Sequence, residues 1–130
     1  MMDGVPPAAR RALIAAALAW MLDAMDVLLY AFVLDRVRAA LGIGDSLSGL
    51  LLALPLAASA VGGAAFGWLA DRIGRTRALT WSILAYAVAT AACGLAQSAW
   101  QLAVARVAVG LGMGGEWATG AALVAETWPA

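Results

Sequence analysis

Asp23 and Asp26 stand three residues apart inside a long apolar run, a spacing that sets both carboxylates on one helical face, with Tyr30 one turn further along the same stripe. Two neighbouring carboxylates in a low-dielectric setting rarely both ionise, so one of the pair is expected to hold a proton. A carboxylate whose proton affinity differs between two conformations ties proton movement to the change of shape. The structural alternative is a hydrogen bond to a neighbouring helix. Arg106 and Glu116 are also embedded in apolar sequence. All four are candidates for a proton-coupling or substrate path, because an ionisable side chain at mid-bilayer costs about 2.5–3.5 kcal/mol on insertion scales.

The remaining inventory removes other chemistries. The chain has no His and a single Cys, Cys93, so disulfides, thiolate metal sites and histidine acid–base catalysis have no material to work with. No nucleophile–base pair or metal cluster is visible, and an enzyme is not expected, nor a cofactor or a metal. All eight basic residues are Arg and the net charge is zero, which leaves no basic patch for nucleic acid.

The elements that must carry these residues are membrane helices. Hydrophobic residues make up 65% of the chain and charged ones 12%, with a mean hydropathy of +0.89; ordinary soluble domains run at about 45–50% and about 25%. About 20 apolar residues span a hydrocarbon core about 30 Å thick. Four runs meet that length, at about 12–34, 47–70, 78–96 and 100–125, after a tail over residues 1–11. An all-α, polytopic membrane protein follows. Arg10-Arg11 before the first run superficially resembles a secretory or twin-arginine signal, but the run continues past the roughly 7–15 apolar residues of such signals. Asp45 or Ser46 is a plausible N-cap for the second helix, and Pro55 inside it requires neighbours to satisfy the carbonyl it frees.

Between the second and third runs lies a charged, glycine-punctuated turn: Gly67, Asp71, Arg72, Gly74, Arg75 and Arg77. Lipid offers no water to a polar backbone, so this turn must lie at a membrane face. Counting Arg by connector puts Arg10, Arg11, Arg72, Arg75 and Arg77 on one side and Arg36 and Arg38 on the other, which predicts a cytoplasmic N-terminus. Asp71 falls at the C-terminal end of a helix, where a negative charge opposes the macrodipole, and it needs a partner; Arg72 or Arg75 supplies part of one.

In the fourth run, Arg106 and Glu116 are ten residues apart, roughly 15 Å along a helix, and cannot pair directly. Their directions differ by roughly 80°, so both could border one cavity at different depths. Asp26 lies at a depth similar to Arg106, which predicts an ion pair between them, with snorkelling of Arg106 to the outer surface as the alternative. Gly110, Gly112 and Gly115 formally match a dinucleotide-binding pattern, but that pattern needs a strand, a turn and a helix in a soluble sheet. Gly110 with Gly114, and Gly63 with Gly67, instead make smooth surfaces for close helix packing.

These residues resemble the major facilitator superfamily. Gly67-x-Leu69-Ala70-Asp71-Arg72-x-Gly74-Arg75-Thr76-Arg77 is similar to that family's loop between its second and third helices, departing at Thr76, where a basic residue is common. Arg106-x-x-x-Gly110-x-Gly112-x-Gly114-Gly115-Glu116-Trp117, followed by Ala122 to Pro129 with Glu126 at the end of the fourth helix, is similar to its fourth-helix motif. The form is that of proton symporters for organic acids such as sialic and aromatic acids, and Asp23 and Asp26 fit those branches. The resemblance implies twelve helices in two six-helix bundles and alternating access by rocking of the halves, with this chain corresponding to the first four helices. It implies that Asp71 and the loop arginines lock a cytoplasmic gate, that Arg106 and the first-helix carboxylates take part in proton coupling, and that Glu116 faces the substrate path.

The expected function is therefore secondary active transport, proton-coupled symport of a small organic anion through the inner cell membrane. The chain is expected to be an N-terminal fragment whose partners are that anion, the proton, the lipid bilayer and the further helices of the same transporter. The alternatives are a small four-helix protein that transports as an oligomer and a non-transporting membrane partner.

Overall fold

The structure, a computed structural model, describes residues 6–128, so Met1 to Val5 of the expected tail and Pro129-Ala130 lie outside the described residues. Four helices follow one another: α1 Pro7–Leu41, α2 Asp45–Ile73, α3 Arg75–Leu95 and α4 Ala99–Thr127. All four are long and apolar enough to cross a membrane, the all-helical architecture expected from the hydropathy pattern.

The helices overrun the apolar stretches that announce them. α1 begins at Pro7 rather than near Ala12, because proline at a helix start has the right φ and needs no N–H partner. It then continues through Asp35 to Arg38, to Leu41 rather than Leu34, and its 35 residues reach about 52 Å at 1.5 Å per residue. Charged residues mark where a helix leaves the hydrocarbon, not where it stops. Gly42 ends α1 in the left-handed conformation at φ 63°, with its own N–H and that of Ile43 donating to Arg38 O.

The α1–α2 connection corrects the expected cap. Gly44, extended and without a side chain, occupies the N-cap of α2. Asp45 is the first helical residue, and its carboxylate pairs with the Arg38 guanidinium across the connector. In the first turn its charge still favours the helix dipole. At the α3–α4 connection, Ser98 Oγ accepts from Gln101 N–H at 3.3 Å while Gln101 Oε1 accepts from Gln97 N–H at 2.9 Å, a reciprocal start signal for α4.

The charged stretch from Gly67 to Arg77 is barely a loop. α2 runs to Ile73 and α3 resumes at Arg75, so Gly74 alone reverses the chain, at φ 93° and ψ 148°. Gly67 is a helical residue and takes no part in the turn.

α4 is the centre of the bundle. It packs most extensively on α2, then on α3, then on α1. Half of its most apolar window is buried, against 22–28% for the other three helices, whose outward faces carry large apolar side chains such as Phe32, Val88 and Leu95. α1 carries a stripe of small buried residues, Ala9, Ala12, Ala16 and Ala19, that leads to Asp23, and Ala16 lies against Gly120 of α4.

Candidate functional site

Arg106 organises the interior. Its side chain lies between the helices and is 2% exposed. Nη1 donates to Asp26 Oδ2 at 2.9 Å, and Nε donates to the backbone carbonyl of Leu51 in α2 at 3.3 Å. The Tyr30 ring lies beneath the guanidinium, 4.2 Å from its central carbon. Nη2 is buried with no partner. The ion pair expected from matching depths is thus formed, and Arg106 is held inward rather than drawn to the surface. Tyr30 continues the Asp23–Asp26 stripe as its spacing requires.

Asp23 reaches a different part of α4. It is buried, and its Oδ2 accepts from Trp117 Nε1 at 2.7 Å. Trp20 packs beside the same indole, with ring centroids 6.3 Å apart. Glu116, also buried, has Oε2 without a partner. Tyr86 of α3 donates its hydroxyl to Leu22 O at 3.2 Å and joins α3 to α1 across the carboxylates.

Two cavities carry these groups. One of about 680 Å³ is bordered by Asp26, Tyr86, Thr90 and Glu116, and one of about 530 Å³ by Asp26, Tyr30, Thr90 and Arg106. Arg106 and Glu116 therefore border two cavities rather than the single one expected, with Asp26 and Thr90 common to both walls. Both volumes suit a small organic molecule. A larger groove of about 800 Å³ between α3 and α4 contains no ionisable residue and offers no comparable chemistry.

At the face where α2 passes into α3, a charged cluster forms. Arg75 Nη2 forms an ion pair with Asp71 Oδ1 at 2.8 Å and its Nε donates to Glu126 Oε1 at 3.1 Å, joining the ends of α2, α3 and α4. Arg72 lies instead over the Trp68 ring at 3.9 Å. Arg77 is exposed and forms no ion pair among the described residues. Asp71 thus finds a cation within its own turn, and Glu126 joins that turn.

The glycines of α4 set how closely its neighbours approach. A Cβ on Gly110 would strike the Pro55 backbone, one on Gly114 the Ser59 carbonyl, one on Gly112 Tyr86, and one on Gly115 Phe66 and Ser82. The partner surface on α2 is only partly the one expected: Gly63 belongs to it and Gly67 does not. Gly62 abuts the Leu111 backbone, Gly63 lies against Gly114, where a Cβ would come within 2.7 Å of Gly63 N, and Gly67 has nothing within 4 Å. Gly62 was recoverable from the adjacent Gly62-Gly63 pair, both of which pack on α4. Trp117 ends the fourth-helix motif but is not singled out by it as a site residue, and Tyr86 and Thr90 carry no sequence signal.

This geometry stands beside similarity to known proteins. Residues 12–130 match the Major Facilitator Superfamily. A putative metabolite transport protein of Haemophilus influenzae is 42% identical over 92% of this chain and 30% of its own length. The sialic acid transporter NanX of Escherichia coli is 38% identical over 96% of this chain and 31% of its own. A probable 4-methylmuconolactone transporter of Cupriavidus pinatubonensis is 41% identical over 82% and 25%. The chain spans less than a third of the length of these relatives, and no solved structure matches it. Four membrane-length helices, buried charges of α1 and α4 facing one another, and a family match across nearly the whole sequence lead to one assignment: the chain is a multi-pass membrane protein of the major facilitator superfamily.

Proposed function

We propose that this chain belongs to the N-terminal bundle of a transporter that carries a small organic anion together with a proton by alternating access. The observation that carries the reading is the buried Arg106–Asp26 ion pair bordering a cavity, with the Nη2 arm of Arg106 unpartnered. A proton arriving at Asp26 neutralises the carboxylate and ends its attraction for Arg106. The guanidinium, its charge then unbalanced, attracts an anionic substrate, so proton and anion load together. Release of the anion on the opposite side restores the ion pair once the proton leaves. Asp23 and Glu116, both buried, and Tyr30, stacked on Arg106, complete the polar path.

The N-terminus is cytoplasmic by the arginine asymmetry, in the inner cell membrane, and the Asp71–Arg75–Glu126 cluster then forms part of a cytoplasmic gate. Sialic acid and 4-methylmuconolactone, named for two relatives, are the first substrates to try. The test is uptake by the complete transporter in cells without their own. Accumulation should rise with an inward proton gradient, collapse with a protonophore, and fall at least tenfold in Asp26→Asn and Arg106→Ala. Undiminished gradient-driven accumulation in both variants would overturn the reading.

A further inference from the structure

We infer that Pro55 is a positioning residue for Arg106: it keeps the Leu51 carbonyl open as a fixed, non-titrating anchor for the guanidinium. In an unbroken α-helix the N–H of residue 55 would donate to the carbonyl of residue 51, four positions earlier. Proline has no N–H to give. α2 runs from Asp45 to Ile73 around this residue, and both Leu51 and Pro55 are completely buried, so neither water nor a lipid headgroup reaches the vacant carbonyl. A buried acceptor without a partner is costly, and here the partner comes from another helix: Arg106 Nε, at 3.3 Å.

The approach of the two backbones makes the contact possible. Gly110, one turn after Arg106, lies against Pro55, and a Cβ there would collide with the Pro55 backbone and with Ala58 Cβ. Glycine on one helix and proline on the other thus meet where Nε finds its acceptor.

The consequence is a guanidinium with two unlike ties. Asp26 can lose its charge, whereas the Leu51 carbonyl cannot. When Asp26 is neutral, the Nε bond and the Tyr30 ring keep the arginine at the cavity wall, with Nη1 and Nη2 available. That functional consequence rests on the coupling role proposed above. The anchor itself does not, and it is measured without substrate or transport.

The protein is ¹⁵N-labelled at arginine and reconstituted in lipid nanodiscs, and the Arg106 Nε–H signal is assigned by its loss in Arg106→Lys. Solvent exchange of that proton is followed in the parent, Asp26→Asn, Pro55→Ala and the double variant. In Asp26→Asn the proton should stay at least tenfold more protected than those of Arg10 and Arg36. In the double variant, where the backbone N–H restored by Pro55→Ala reclaims the Leu51 carbonyl, protection should fall at least tenfold. Exposed-like exchange in Asp26→Asn, or equal protection in the double variant, overturns the anchor. Alanine favours helix, so Pro55→Ala should retain its helical content. As a second readout that leaves α2 unaltered, the Leu51 carbonyl ¹³C signal should shift in Arg106→Met, and an unmoved signal overturns the proposal as well.

Discussion

At the scale of single residues, the interior of α4 is a set of charges with unequal compensation. Arg106 is satisfied on two of its three nitrogens, and Asp26 depends on it. Removing one partner of a buried pair strands the other, typically at about 3–5 kcal/mol. Arg106→Met should therefore destabilise the fold by about 3 kcal/mol, near the low end because the Asp26 side chain is 15% exposed. The double variant Asp26→Asn/Arg106→Met should be less destabilised than the sum of the single changes, as read from unfolding in mixed micelles. Asp23 gives a contrasting case. Asp23→Asn retains an oxygen for the Trp117 indole N–H, whereas Asp23→Leu removes its acceptor, at a cost of about 1 kcal/mol. Equal stability of the two variants would show that the bond contributes nothing.

At the scale of elements, helix contacts here depend on missing side chains. Lipid chains are as apolar as leucine, so helices associate through close packing and polar contacts rather than by escaping water. Gly114→Ala should force α2 and α4 apart and cost about 1–3 kcal/mol, because its Cβ would strike the Ser59 backbone. Gly67→Ala, with open space around it inside a helix, should be neutral or stabilising by about 0.5–1 kcal/mol. Gly74→Ala meets no steric obstacle but must adopt φ 93°, so its cost of about 1–2 kcal/mol is conformational. The existence and order of the four helices were legible because hydropathy and length suffice for them. Their ends were not. Asp35 to Arg38 at the end of α1 and Asp71 to Ile73 at the end of α2 are polar enough to signal a boundary, yet they form good helix outside the hydrocarbon. The packing surface on α2 was legible only in part: Gly63 does face Gly114, but that Gly62 also packs on α4 while Gly67 does not depends on the rotation of α2, which nothing local fixes.

At the scale of the whole molecule, the bundle presents an apolar exterior and a charged end. Val88 is 70% exposed in the middle of α3, a helix of membrane length, so Val88→Arg should reduce membrane insertion by about 2.5–3.5 kcal/mol in a glycosylation-based insertion assay. The proposed orientation can be checked with Thr76→Cys in a background lacking Cys93, labelled by a membrane-impermeant maleimide. Labelling should occur in inside-out vesicles and not in intact cells. The Asp71–Arg75–Glu126 cluster is largely exposed, and such pairs contribute little to stability. Glu126→Gln should therefore leave the melting temperature unchanged, and any effect should appear in transport.

That this chain crosses a membrane, roughly where, and which ionisable residues are buried there all follow from the order of its amino acids, because hydropathy, length and the cost of a charge in lipid are local properties. The matching depth of Asp26 and Arg106 follows too, since depth along a helix can be counted residue by residue, but that the two side chains face one another does not. Which way each helix turns emerged only from packing: that Asp23 meets Trp117, that Arg106 also binds the Leu51 carbonyl, that Gly62 rather than Gly67 meets α4, and that Arg75 binds both Asp71 and Glu126. These helices are apolar on nearly every side, toward lipid and toward protein alike. Hydropathy therefore carries depth but not rotation, and rotation is fixed only when the helices pack.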